Sequence, residues 1–146
     1  YAAYSTMTIT ERERKPYVIY QLDAPYDDAA AIYVDAREDY LPQTQNIQIS
    51  VASQPDFSDA FVCGSGLYPS ASNTTIRAYC SPQLEGVQYV KIEKTAISAD
   101  MGTWYLTIQE MAVMRSCEFG AGLCPGARAC GKTIGWLIAG SVMSSI

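Results

Sequence analysis

The chain has 146 residues, about half of them hydrophobic, with 15 acidic against 10 basic side chains and a net charge of −5. That length gives one domain with appendages, and that apolar content supports a real core and excludes disorder as a global description. The acidic balance argues against nucleic acid, whose phosphates demand clustered Lys and Arg, and a complete lack of histidine removes the commonest metal ligand and general base.

Residues 1–10 are β-prone but carry little aliphatic bulk, and ERERK at 11–15 reads as a solvated charge run. YVIYQL at 17–22, bounded by Pro16 and by DAP at 23–25, predicts a buried strand, and residues 30–35 predict a second. Ile47, Ile49 and Val51 alternate with Gln48 and Ser50, the pattern of a half-buried strand with one wet face. QPD at 54–56 is a turn. Residues 60–63 and 75–80 read as a pair of short strands around a Gly/Ser-rich loop, and residues 87–93 alternate again with Val90 and Ile92 inward. Residues 103–114 predict the longest strand. Its apolar parity switches between Ile108 and Met111, which one extra residue near Gln109–Glu110, a β-bulge, would explain. No amphipathic helical period lasts a full window before residue 115, and turn signals recur throughout, so the fold class is all-β, an antiparallel sandwich or barrel.

The last thirty residues have a different character. Cys117, Cys124 and Cys130 sit in a Cys/Gly-rich linker, followed by an almost uncharged tail with Ile134, Trp136, Leu137, Ile138, Val142, Met143 and Ile146. Five cysteines in so short a chain point to disulfides and an oxidising compartment. Zinc is disfavoured, because the gaps of six and five residues between the last three are wider than a Cys-x2-4-Cys knuckle and no histidine completes a set. The odd count leaves one thiol free or paired outside this chain. Asn73-Thr74-Thr75 is the single N-glycosylation sequon, in a polar run that reads as an exposed loop. No signal peptide is visible and the first residue is Tyr1, which reads as a processed form or an excerpt.

The middle of the chain resembles the galactose-binding-like β-sandwich of discoidin domains and fucose-binding F-type lectins. The carrying stretches are YVIYQLDAPY at 17–26, AIYVDARED at 31–39, IQISV at 47–51 with PDF at 55–57, YVKI at 89–92 and LTIQEMAV at 106–113. Their order and spacing, rather than any one motif, make the likeness, which covers residues 17–115. It implies a jelly-roll sandwich, a Cys63–Cys80 disulfide, and a sugar site built on Arg37 and Asp39, with Tyr40 and Tyr68 as aromatic stackers. The family's sugar-binding set also has a His and a second basic residue. This chain has no His, and Thr44 stands at the second basic position. The family often holds a structural calcium, for which Asp23, Asp27, Asp28, Asp35, Glu38 and Asp39 supply candidate oxygens; otherwise no metal or cofactor is expected.

These observations divide the chain into a lead segment 1–16, a galactose-binding-like sandwich 17–115 and an assembly tail 116–146. The shortness of the lead segment predicts a sandwich lacking a strand at one edge. An apolar tail does not stay in water unpaired, and it is shorter than the roughly 20 residues that span a bilayer. The leading expectation is therefore a secreted, non-catalytic structural or adhesive subunit. Its partners are other copies of itself, joined head to tail through residues 133–146 into a filament or surface polymer. The alternative is a carbohydrate-binding module of the fucose-lectin kind. Catalysis is not expected: no Ser-His or Cys-His pair exists, and GSG at 64–66 and GKT at 131–133 are too short for a phosphate loop.

Overall fold

The computed structural model describes residues 3–4, 8–10, 15–27, 29–80, 85–95 and 105–115, and they form an all-β unit. The strands are β1 (Ala3–Tyr4), β2 (Thr8–Ile9), β3 (Tyr17–Tyr26), β4 (Ala29–Asp35), β5 (Ile47–Ala52), β6 (Phe61–Leu67), β7 (Thr75–Tyr79), β8 (Val87–Lys94), β9 (Thr107–Ile108) and β10 (Glu110–Arg115). A 3-10 helix, Glu38–Thr44, connects β4 to β5. One sheet runs β1–β10–β4–β7 and another β3–β8–β5–β6, while β2 and β9 pair with each other. Every pairing is antiparallel. No helix among the described residues is long and apolar enough to cross a membrane.

The period-two pattern puts alternate β-branched and aromatic residues on one face of each sheet. Val18, Tyr20 and Leu22 of β3, Ile47 and Ile49 of β5 and Val90 and Ile92 of β8 point inward from one sheet; Ile32 and Val34 of β4 and Met111 and Val113 of β10 do so from the other. All of them join a single buried cluster. Burial of each large side chain contributes about 1.5–3 kcal/mol. This is a β-sandwich-like arrangement, with one core shared by two sheets.

Four local features depart from the sequence expectations. The first strand does not stop before residues 23–25 but continues through Pro25 to Tyr26, skipping register between Gln21 and Tyr26. β3 is an edge strand, so a residue without an N–H is tolerated there. Ser50, expected to be wet, is buried. It lies opposite Val62 on one side and Lys91 on the other, and longer neighbours shade so small a side chain. The stretch expected to be the longest strand is split at Gln109, with β9 pairing with β2 before it and β10 pairing with β1 and β4 after it. The parity switch thus falls at Gln109, the one extra residue expected there: Gln109 and Glu110 both face Asp35, and the pairing partner changes at the same point. Finally, the lead segment adds a two-residue strand beside β10, pairing at Ala3–Ala112 and Tyr4–Met111, so the edge expected to be empty is filled over those two residues.

The strands around the Gly/Ser-rich loop, β6 and β7, belong to different sheets. A disulfide between Cys63 of β6 and Cys80, just past β7, ties the two sheets at that edge, with the Cα atoms 4.5 Å apart. Cys117, Cys124 and Cys130 and the tail residues Ile134, Trp136, Leu137, Ile138, Val142, Met143 and Ile146 lie outside the described residues.

A buried polar seam fixes the 3-10 helix. The Thr44 hydroxyl donates to the Thr107 carbonyl at 2.6 Å, and the Thr107 hydroxyl donates to Gln43 Oε1 at 2.5 Å. Thr10 bridges to Leu106 through both its backbone N–H and its side-chain oxygen. Lys94, 5 % exposed, donates from Nζ to the Pro42 carbonyl at 3.1 Å. Asn46, in the left-handed region at φ 54°, then turns the chain into β5, and its carbonyl accepts from the Thr95 N–H and hydroxyl. Burial lowers the Lys94 amine from the ordinary 10.5 to about 8.

Two outcomes follow. Removing the cross-link as Cys63→Ser with Cys80→Ser, two positions 17 apart in sequence, lowers stability by about 3 kcal/mol in urea denaturation. For Lys94, the amine is charged in both states below pH 8, so the fold carries the full cost of burying a cation there. Between about 8 and 10.5 the unfolded chain keeps a proton that the folded chain has lost, and stability rises with pH; above 10.5 the cost is gone. The stability difference between Lys94→Met and wild type therefore shifts by roughly 3 kcal/mol towards wild type from pH 7 to 10.5, at ~1.4 kcal/mol per tenfold change in proton affinity. A pH-independent difference would refute this account.

Candidate functional site

A polar cavity lies where β4 leaves its sheet. Past Asp35 the ladders to both neighbours continue for one step: the Ala36 N–H donates to the Thr74 carbonyl at 2.9 Å, and the Gln109 N–H donates to the Asp35 carbonyl at 2.8 Å. Then the chain turns at Arg37 into the pinned 3-10 helix. Because β9 and β10 part at Gln109, the turn leaves a hollow of about 500 Å³, walled by Asp35, Arg37, Glu38, Thr74, Thr75 and Gln109. The wall mixes a guanidinium donor, carboxylate acceptors, two hydroxyls and an amide. Such a set suits a ligand that itself both donates and accepts, and it does not concentrate one sign of charge. Asp35 is held in place by the Thr75 hydroxyl, which donates to it at 2.5 Å.

Arg37, which the family resemblance offered as a sugar donor, forms part of this wall. Asp39 and Tyr40 lie on the 3-10 helix, but their side chains are outside the described part of the molecule. Thr44 is not at this wall: it is fully buried in the seam, where its hydroxyl is taken by Thr107. At Thr44, where the resemblance calls for a second basic residue, the chain has a buried structural threonine. Asn73 is exposed, at the tip of a tight turn closed by paired backbone bonds with Ser70, and its Oδ1 accepts from the Thr75 N–H. The sequon thereby sits at the mouth of the Arg37 hollow, since its second and third residues form part of the wall. Tyr68 is exposed on the same β6–β7 connection.

Of the candidate calcium ligands, Asp35 and Glu38 share the Arg37 hollow, while Asp23 and Asp27 are engaged elsewhere. Asp23 accepts from the Tyr26 hydroxyl, Asp27 from the Gly86 N–H, and Asp35 from Thr75; Asp28 lies outside the described residues. No three acidic or cysteine side chains among the described residues form a group able to hold a metal ion.

Sequence reasoning did not place Thr74, Thr75 and Gln109 at the site. Signals for them were present: the sequon marked the two threonines, and the parity switch marked Gln109. What was not visible is that the loop before β7 and the β9–β10 break meet at the end of β4.

A second surface cluster, on the opposite sheet, has a structural explanation. Lys91 lies over the Tyr17 ring at 4.7 Å and the Phe57 ring at 5.7 Å, and it pairs with Glu93 at 3.6 Å. Phe57 packs edge-on against Tyr89 from a turn with φ 58°, a backbone region bulky residues rarely adopt. That turn is held by Asp59, which accepts from Ser53 and Gln54, and by Asp56, which accepts from the Ser58 N–H. Donation from the Ser53 side chain keeps Asp59 below the usual carboxylate value, and the Ser58 backbone N–H does the same for Asp56. The cluster covers the outer face of β8.

Comparison with known protein families, curated proteins and solved structures finds no match to this chain.

Proposed function

We propose that this chain is an extracellular, non-catalytic carbohydrate-recognition module built on a galactose-binding-like jelly roll, with its sugar site in the hollow at Arg37. The observation that carries the reading is the composition of that wall: Arg37, two carboxylates, two threonine hydroxyls and Gln109 around one cavity at a strand end. Sugars present alternating donors and acceptors on one small ring, and a mixed wall of this kind recognises them by many moderate hydrogen bonds. The sheet-linking disulfide and the exposed Asn73 sequon suit an oxidising, secretory setting. No histidine stands anywhere in the chain, so the usual nucleophile–base pairs do not arise.

A second reading, a structural subunit assembling head to tail, is favoured by the apolar residues from Ile134 to Ile146. Large side chains of that kind each contribute about 1.5–3 kcal/mol when buried, which supports a durable joint with another copy. Both roles coexist in an adhesive protein, where the polymer presents many copies of a weak sugar site.

On a glycan array, monomeric protein retains at least one class of neutral glycan, and Arg37→Ala weakens that retention at least tenfold while leaving the melting temperature within a few degrees. Failure to bind any glycan would sink the recognition reading. Independently, truncation after Gly131 converts the protein to a monomer in light scattering; assembly that persists in the truncated chain rules the tail out as the joint.

A further inference from the structure

The Arg37 hollow does not end at Asp35. Register places Thr75, Asp35 and Glu110 opposite one another as a row across β7, β4 and β10, and Arg77, Tyr33 and Ala112 as the next row on the same face. In the second row Ala112 is small, so a depression opens beside Tyr33. This smaller hollow, about 180 Å³, is lined by Tyr33, Asp35, Thr75, Arg77, Glu110 and Ala112. Asp35 and Thr75 are common to both hollows, and their mutual hydrogen bond forms a low saddle between them. From Tyr33 to Arg37 is four residues of extended chain, about 13 Å at ~3.3 Å per residue.

We infer that the two hollows are consecutive subsites of one groove, so that the protein binds an extended neutral oligosaccharide rather than a single sugar. This rests on the carbohydrate reading above and adds the length and charge of the ligand. One unit sits at Arg37, and the next crosses the Asp35–Thr75 saddle to lie against Tyr33. The Arg77 guanidinium is already held over the Tyr33 ring at 5.2 Å. It therefore reaches the second subsite in a fixed orientation, which lowers the ordering cost of using it as a donor. The charge count supports a neutral ligand. Asp35, Glu38 and Glu110 face Arg37 and Arg77, three carboxylates against two cations, a balance that repels phosphate, sulfate and uronate chains.

The test is titration calorimetry on the Asn73→Gln protein, so that no attached glycan competes at the groove mouth. The probes are L-fucose with 2′-fucosyllactose, and galactose with lactose. In the pair that binds, the oligosaccharide is expected to bind at least tenfold tighter than its monosaccharide. Tyr33→Ala and the exposed Arg77→Ala each erase most of that difference without changing monosaccharide affinity, whereas Arg37→Ala weakens both. Equal affinity for the two lengths, or insensitivity of the oligosaccharide to both substitutions, would overturn the groove while leaving the Arg37 sugar site standing. If none of the four probes binds and the array is also blank, the carbohydrate reading and the groove fall together.

Discussion

Two sheets exclude water from the same volume, and this constraint sets the rest of the structure. Val18, Tyr20 and Leu22 from one side meet Ile32, Val34, Met111 and Val113 from the other, and none of these side chains has room to turn outward without opening the core. With the inward residues fixed, the strict alternation of a strand fixes the outward ones too. Tyr33 and Asp35 face solvent because Ile32 and Val34 do not. The surface that holds the candidate groove is thus the other side of the core pattern.

The ends of the sandwich obey a different rule. There the backbone leaves the ladders and its polar groups need partners. The chain meets that need with a seam of threonines and one lysine: Thr44, Thr107, Thr10 and Lys94 tie the 3-10 helix to β8, β9 and the lead segment. Burying an amine this way is costly, as its lowered proton affinity records. The return is a fixed turn after β4, and with it a fixed position for Arg37. Gln109 has the complementary part, since its N–H still pairs with Asp35 while the strand divides around it.

Much of the strand pattern was legible. Val90 and Ile92 point inward as their alternation requires, and the residues 30–35 strand stands almost as read. The switch of parity around residues 108–111 was a true signal with more than one geometric solution: an inserted residue or a change of partner both satisfy it. Ser50 was misread because polarity was taken as a guide to exposure, whereas a small side chain between Val62 and Lys91 is covered whatever its chemistry. The Cys63–Cys80 link, implied by family likeness, is present, but its role of joining two sheets appears only when β6 and β7 are seen to part.

The sequence by itself determined the all-β class and the inward face of most strands, because these depend on residues within a few positions of one another. The tertiary structure alone decided that Thr74, Thr75 and Gln109 surround Arg37, that Thr44 is spent inside the seam, and that Arg77, Tyr33 and Ala112 form one row. Those neighbours come from separate stretches of chain. Their meeting depends on which strands pair and in what register, a choice made by the energy of the whole core and not by any local run of residues.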